Sequence, residues 1–479
     1  MQDRNLIGGQ WRLAHSGETF AVCDAATGEE LARVPRCGAL EACDAIEAAG
    51  KALQAWSGLA PSRRATVLST IAQAMRDRKQ EFAQIITAES GKPIDEAQGE
   101  VDYAADYFLS AADEANRLQS ETIHSRRADR ALCAIPEPIG IVAAITPWNF
   151  PLAMLARKSA PALAVGCTQV VKPAESTPLT ALAFAQLLVD VGLPAGVVNV
   201  ITGDPAAIGQ AWLGDGRVRK LSFTGSTAVG RLLMKSSADQ VVPLSLELGG
   251  HAPFIVFSDA DIPAAVAAAV SGKFRVAGQT CVCPNRFIVA DDVYTEFVDQ
   301  FAALASGLRV GRGREAGVRI GPLIDDRAIV RIRNQVKDAV AKGAKIVTGG
   351  ATVPIEGCLD RFFAPTVLAN ATAEMLCFRE ETFGPLAPIA RFKTESQAIE
   401  MANATPYGLA GYIFARDPNL LERVSRQLNC GIIGVNTGVI SDAYAPFGGR
   451  GWSGFGREGG RWGIEEYISW KYVCAAVNG

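Results

Sequence analysis

The chain has 479 residues, 49% of them hydrophobic and 20% charged, with a formal net charge of −3. That length exceeds one compact core and calls for two or three joined domains. The balance excludes a disordered chain, and the charge provides no general basic field for nucleic acid or an anionic membrane.

Eleven cysteines, an odd number spread over a long chain, do not make a small disulfide framework; a reducing, cytoplasmic compartment is the expectation. The histidines are His15, His124 and His251, and neither HExxH nor a pair of CxxC motifs occurs, so no metal is expected. The segment MQDRNLIGGQWRL lacks the apolar stretch of a signal peptide, and no apolar run is long enough to span a bilayer.

In chain order, the first 35 residues alternate in short stretches broken by Gly8-Gly9, Gly17 and Gly28, which predicts small strands and turns. Residues 39–118 are Ala-rich with apolar positions three and four apart, which predicts helices, broken at Gly91-Lys92-Pro93. Residues 122–137 read as a polar strand segment ending between Pro136 and Pro138. Strands then alternate with helices: strands at 139–146, 168–173, 197–202 and 219–223, with helical stretches at 154–164 and 180–191. The alternation restarts with a strand at 252–257, a helical stretch, a strand at 286–290 and a helix over 292–307. This is the pattern of an α/β protein with parallel sheets, and the two blocks meet near Glu247.

Four segments carry residues suited to chemistry. GQTCVCPNR (278–286) sets Cys281 between a helical segment and a strand; a thiolate near helix N-terminal amides is a lowered-pKa nucleophile, while a free cysteine can equally be a small buried hydrophobe. LSLELGG (244–250) isolates Glu247 among apolar residues, where its pKa rises and it can serve as a general base, or where it can be a structural ion-paired acid. TPWNFP (146–151) holds Asn149 between prolines and aromatics, as a rigid oxyanion donor or as a turn former. FTGSTAVG (223–230) follows a strand and precedes a helix; Gly225, Ser226 and Gly230 suit a pyrophosphate at a helix start, or a plain strand-to-helix turn.

Together PWNFP, VVKPAE, FTGS, LELGG, GQTC, EETFGP (380–385) and PFGG (446–449) resemble the aldehyde dehydrogenase superfamily in order and spacing, over residues 5–474. The nearest likeness is to succinate-semialdehyde dehydrogenases, on KFRVAGQTCVCPNR (273–286), LELGGHAPFIVF (246–257), EETFGPLAP (380–388), NTGVISDAYAPFGG (436–449) and SGFGREGGRWGIEEY (453–467). The resemblance implies an aldehyde dehydrogenase fold in three parts. Residues 1–120 and 140–246 would form a Rossmann-type NAD-binding domain, 247–440 an α/β catalytic domain, and 121–139 with 460–479 a β-hairpin oligomerisation element of a homodimer or homotetramer. It also implies the mechanism: Cys281 attacks the aldehyde, Asn149 and the Cys281 N–H hold the oxyanion, and Glu247 activates water against the resulting thioester. Trp148, Lys172, Glu175, Gly225, Ser226, Leu248, Glu381 and Phe383 would line the cofactor, with NAD preferred because Glu175 would repel a 2′-phosphate, and NADP possible because Lys172 is near. Arg157, Arg275 and Ser441 would grip the carboxylate of succinate semialdehyde. Cys283, in Cys281-Val282-Cys283, is either a resolving thiol for an oxidised Cys281 or a packing residue.

The chain departs from its relatives at Val276, where they usually read Asn, at His251 after LGG, and at Arg450-Gly451-Trp452, where a lysine commonly follows PFGG. None of these removes a catalytic role, but they leave the aldehyde less fixed than the reaction: glutarate semialdehyde or another aldehyde is the alternative. Glu247 within an intact LELGG favours water over coenzyme A as the acyl acceptor.

Overall fold

In the computed structural model the described residues are 3–477; the expected first and third regions extend beyond these at 1–2 and 478–479. Strand Ile141–Ile145, buried at every position, is the centre of an eight-stranded sheet. On one side of it lie Val218–Thr224, Leu244–Glu247 and Gly454–Phe455; on the other lie Thr168–Lys172, Val198–Val200, Asn5–Ile7 and Gln10–Arg12. The five strands from Leu244–Glu247 to Val198–Val200 run parallel, while the outer pairings are antiparallel. Parallel strands need crossover helices on both faces, so their side chains are buried on both sides, and continuous apolar runs such as IVAAI result.

The Ala-rich stretch resolves into helices Ala39–Ser57, Pro61–Asp77, Lys79–Ser90 and Ile94–Arg117. The expected break at Gly91-Lys92-Pro93 is there: Gly91 has φ +78°, and a Cβ on it would stand 2.5 Å from the Pro322 ring. Helix Ile94–Arg117 begins with Asp95 and Glu96 and ends with Arg117, charges that oppose its dipole, and it buries Ala97, Glu100, Val101, Ala104 and Phe108.

The second alternation builds a seven-stranded sheet in the order Lys345–Thr348, Thr366–Ala369, Leu386–Phe392, Pro284–Ala290, Ala252–Val256, Ala410–Phe414 and Ile432–Val435. Only its first pairing is antiparallel. Phe254, Phe287, Phe297 and Phe301 interlock in its core, with Phe254 stacked on Phe414 at 4.7 Å. The first sheet's run thus ends at Glu247 and the second's begins at Ala252, beside the point where the two sequence blocks meet.

The polar segment after residue 120 forms two strands, Glu121–Ile123 and Arg130–Pro138, and Ile468–Ala476 pairs with the second along its whole length. Strand Gly454–Phe455, which joins the first sheet beside Leu244–Glu247, carries no sequence signal: it is two residues long and lies some two hundred residues from its partner.

Candidate active site

The carboxyl ends of the parallel strands in the first sheet lead into Thr146–Phe150, Lys172–Glu175, Thr224–Ser226 and Glu247–Gly250. In open α/β sheets this edge is where ligands bind. A cavity of about 650 Å³ lies there, lined by Trp148, Asn149, Arg157, Lys172, Glu175, Gly225, Ser226, Leu248, Arg275, Cys281, Glu381, Phe383 and Ser441. The structure therefore gathers all but two of the expected site residues around one cavity. Glu247 lies buried next to Leu248, and Cys283 is elsewhere.

Cys281 follows a short 3-10 turn, Arg275–Gly278, in which Val276, Ala277 and Gly278 have φ of 51°, 53° and 74°. Three left-handed residues in succession need external support. Glu96 accepts a hydrogen bond from the Val276 N–H at 2.8 Å. The Gln279 side chain donates to the Val276 and Pro322 carbonyls and accepts from the Ile324 N–H. Gly278 is required, since a Cβ there would stand 2.2 Å from the Gly384 carbonyl oxygen. The departure at Val276 has a cost in this conformation: Asn tolerates the left-handed region, and a β-branched residue does not.

This geometry corrects the expectation of a lowered thiol pKa at a helix N-terminus. No helix begins at Cys281. Burial pushes its thiol up to about 12; Arg157 opposes that rise, and Glu247 and Glu381 add to it. The thiol must lose its proton before it can attack.

Asn149 donates through Nδ2 to the Gln279 carbonyl at 2.9 Å, which ties the Asn149 loop to the Cys281 loop and leaves its second N–H available. Its own carbonyl accepts from Lys92 Nζ at 2.7 Å. Lys92 is buried, ion-paired with Glu100, and lies 4.1 Å over the Phe150 ring. Glu100 in turn accepts the N–H groups of Leu152 and Ala153 at the start of helix Ala153–Val165. Lys92 and Glu100 escaped the sequence reading. One signal was present: Glu100 falls on the stripe with Ala97, Val101 and Ala104, and a carboxylate on an apolar stripe needs a partner.

Glu247 ends strand Leu244–Glu247. Burial raises its pKa well above the carboxylate range and Glu458 adds to this, while Arg157, Lys158 and Arg457 oppose it. Its Oε2 has no hydrogen-bond partner among the described residues. Beside it, Glu458 accepts from Lys158 Nζ at 2.7 Å and lies 3.5 Å from Arg157 Nη1. Lys158 also donates to Ser222. A buried carboxyl with an unpaired oxygen is held above the usual carboxylate range and becomes a stronger base once ionised.

Of the three residues expected at the substrate carboxylate, Arg157 is buried, and its guanidinium already donates to the Tyr103 and Tyr107 hydroxyls while facing Glu458. Arg275 is half-buried, stacks over Phe150 at 4.9 Å and has no ion-pair partner among the described residues. Ser441 is also half-buried on the cavity wall.

Among the residues expected at a cofactor, Ser226 caps helix Thr227–Ser237, its Oγ accepting the Val229 N–H at 3.3 Å. Lys172 is buried and pairs with the half-exposed Glu175. Glu381 accepts the Gly250 N–H at 2.8 Å, and burial pushes its carboxyl up to about 7. Phe383 has φ 48° and meets Trp148 edge-on at 5.6 Å; Arg331 holds its turn by donating to the Thr382 and Phe383 carbonyls.

Cys283 and His251 also lie outside the cavity lining. The buried Cys283 thiol lies 3.4 Å from Lys273 Nζ and donates to the Lys273 carbonyl, so it serves packing and hydrogen bonding in this conformation; a resolving role would require the loop to unwind. His251 is buried with Nε2 2.9 Å from the Phe378 carbonyl, and burial lowers its pKa to about 3, which keeps the ring neutral. Among the described residues no cluster of three or more His, Cys, Asp or Glu could hold a metal, and no helix is long and apolar enough to cross a membrane.

The sequence profile of the aldehyde dehydrogenase family matches residues 11–473. The chain belongs to the aldehyde dehydrogenase family. It is an oxidoreductase that oxidises aldehydes. The succinate-semialdehyde dehydrogenase (NADP(+)) of Escherichia coli (strain K12) is 49% identical, with 98% of this chain and 97% of that protein covered. A 3-sulfolactaldehyde dehydrogenase of Pseudomonas putida is also 49% identical, over 99% and 97%. The crystal structure of a succinate-semialdehyde dehydrogenase from Burkholderia pseudomallei superposes with a TM-score of 0.98 at 49% identity, covering 100% of this chain and 98% of that one. The α/β architecture described above is thus the aldehyde dehydrogenase fold.

Proposed function

We propose that this aldehyde dehydrogenase oxidises succinate semialdehyde to succinate, with NAD preferred over NADP. The observation that carries the substrate is Arg275: a half-buried guanidinium on the cavity wall, without an ion-pair partner among the described residues, six positions before the nucleophile. An unpaired guanidinium beside an apolar cavity attracts a carboxylate that can meet it bidentately. Ser441 adds a hydroxyl donor, and Arg157 a second positive charge.

The cavity wall holds the groups a nicotinamide dinucleotide needs. These are the Glu175 carboxylate for ribose hydroxyls, the first turn of helix Thr227–Ser237 with Ser226 for phosphate, and the apolar faces of Trp148, Leu248 and Phe383 for a ring. When bound, that group supplies a hydride acceptor, which turns the thiohemiacetal on Cys281 into a thioester. The protein does the rest. The Cys281 thiol releases its proton to solvent, and Cys281 Sγ bonds to the aldehyde carbon. The free N–H of Asn149 and the Cys281 backbone N–H stabilise the oxygen that becomes negative. Glu247 then takes a proton from water, whose oxygen attacks the thioester carbon. The C–S bond breaks, the acid leaves, and Cys281 takes back a proton from Glu247. The preference for NAD rests on Glu175, whose carboxylate would repel a 2′-phosphate; Lys172 reduces the effect.

The same reading gives residues 1–120 and 140–246 to the cofactor, 247–440 to the nucleophile, and 121–139 with 460–479 to subunit contact in a homodimer or homotetramer. The exposed Trp470, Tyr472 and Val473 on the three-stranded sheet support that contact. A cytoplasmic setting is supported by eleven free cysteines.

An aldehyde panel tests the substrate. Succinate semialdehyde, glutarate semialdehyde, 3-sulfolactaldehyde and butanal are compared by kcat/KM with NAD and with NADP. The expected order places succinate semialdehyde first and butanal lower by roughly 10- to 100-fold, the range of one or more lost charged hydrogen bonds. Equal values for succinate semialdehyde and butanal would overturn the reading. The highest value for the sulfonate or the longer acid would keep an anion site and replace the substrate.

A further inference from the structure

Helix Ile94–Arg117 places Tyr103 and Tyr107 one turn apart on the same face, with their rings edge-to-face at 4.9 Å and their hydroxyl oxygens 2.6 Å apart. Arg157 donates from Nε to the Tyr107 hydroxyl at 2.9 Å and from Nη2 to the Tyr103 hydroxyl at 2.8 Å. The two hydroxyls therefore accept one guanidinium N–H each and share one contact between themselves. Each phenol carries a single hydrogen, so the pair has two hydrogens and one mutual contact, and one hydrogen is left over.

Its owner can be deduced. Tyr107 is 2% exposed and has no other hydrogen-bond acceptor among the described residues. Had Tyr103 donated to Tyr107, the remaining hydrogen would be buried at Tyr107 without an acceptor, which is costly. Tyr107 therefore donates to Tyr103. Tyr103 is half-buried and lines the catalytic cavity together with Arg275 and Ser441, and its own hydrogen has no acceptor among the described residues. Two donors aimed at the Tyr103 oxygen, one of them charged, polarise its O–H and strengthen it as a donor.

We propose that Tyr103 is a specificity-determining residue that donates a hydrogen bond to the distal anionic group of the aldehyde. This rests on the reading of an anionic substrate given above and adds a donor to it. Arg157 acts here as a positioning residue: with its N–H groups committed to the two tyrosines, it fixes the direction of the Tyr103 hydrogen.

Tyr103→Phe removes the hydroxyl that donates to the anion and also the acceptor that Arg157 and Tyr107 use, so butanal reports any loss not specific to the anion. In Tyr103→Phe, kcat/KM for succinate semialdehyde falls roughly tenfold or more while butanal stays within about twofold, because only the former has an acceptor for the lost hydrogen. Succinate as a competitive product inhibitor weakens by a similar factor, while butyrate is affected far less. Tyr107→Phe keeps the Tyr103 donor, and its loss of selectivity for succinate semialdehyde is smaller than that of Tyr103→Phe. Equal losses on both aldehydes in Tyr103→Phe, including loss of all activity, would overturn the proposal, as would a larger selectivity change in Tyr107→Phe. The two failures are distinguishable. A parent enzyme that does not prefer succinate semialdehyde to butanal ends the anionic-substrate reading and the Tyr103 role with it. A parent that does, with a ratio unchanged in Tyr103→Phe, ends the Tyr103 role alone.

Discussion

Arg157 and Arg275 line the same cavity and meet opposite fates. Arg157 lies in a helix whose every position from Ala153 to Val165 is buried, and its guanidinium is surrounded by Tyr103, Tyr107, Glu458 and the face of Phe447 at 3.9 Å. Arg275 lies in the turn before the nucleophile at the cavity wall, rests on Phe150 and makes no ion pair among the described residues, with Glu96 the carboxylate that its charge reaches. A charge in a dry interior must be compensated within the protein, whereas one at a wet cavity wall can wait for a ligand. Both arginines carry the same resemblance to a carboxylate grip, but their surroundings give them different work. Arg157 organises the buried tyrosines and the Glu247–Glu458 neighbourhood, and Arg275 is free to bind.

The largest expected effect tests the buried side. Glu247→Gln removes the base, and thioester hydrolysis falls by roughly 10²–10⁴-fold, the usual span of general-base catalysis. Rapid mixing then shows a burst of reduced cofactor followed by slow turnover; full steady-state turnover would remove Glu247 from the role. The pH dependence has a definite sign. Because burial raises the Glu247 and Cys281 pKa values, higher pH favours the ionised forms in which both groups act. Turnover of the parent therefore rises as pH increases above neutrality, and the hydrolytic phase of Glu247→Gln loses that dependence on the carboxyl.

Of intermediate size is the contrast between the arginines themselves. Arg275→Ala lowers kcat/KM for succinate semialdehyde by roughly 10- to 100-fold and that for butanal by little, as expected for one lost charged hydrogen-bonding group. Arg157→Ala instead lowers both substrates and moves the pH profile, because it strips a positive charge from beside Glu458 and Glu247 and leaves a buried carboxylate under-compensated. If Arg157→Ala proves as selective as Arg275→Ala, the distinction between a paired and a waiting arginine collapses.

The smallest effect lies at the cofactor. Glu175 is half-exposed and bound to Lys172, so solvent screens its charge. Glu175→Gln shifts the NADP-to-NAD ratio of kcat/KM upward by about tenfold or less. An unchanged ratio would assign Glu175 to nothing more than its ion pair with Lys172.

Much of the fold was legible in the sequence because its signals are local. Apolar runs of five residues such as IVAAI, bounded by Gly and Pro, announce buried parallel strands, and the Ala-rich three-and-four spacing announces helices. Asn149, Cys281 and Glu247 stood out because each is a reactive or polar residue held in a rigid or apolar context, and the order of the motifs joined them. What escaped was decided by partners remote in the chain. Lys92 contacts Asn149 57 positions away, and Lys158 meets Glu458 300 positions away. Periodicity shows that Glu100 and Lys158 fall on buried faces but cannot name the opposite charge that permits them to stay there.

The sequence by itself determined the elements, the chemistry carried at each motif and the order in which the motifs meet, since these depend on side-chain type and short-range backbone preference. The tertiary structure alone decided the protonation and direction of those groups. The Cys281 thiol is pushed up to about 12 because desolvation in the cavity disfavours the thiolate and Glu247 and Glu381 add to that, not lowered as a helix start would have made it. Cys283, two residues on, faces Lys273 and not the cavity, and Arg157 is satisfied where Arg275 is not. The physical reason is common to all three: the free energy of a charge or a polar hydrogen depends on the water and partners around it, and that environment exists only once distant segments have packed together.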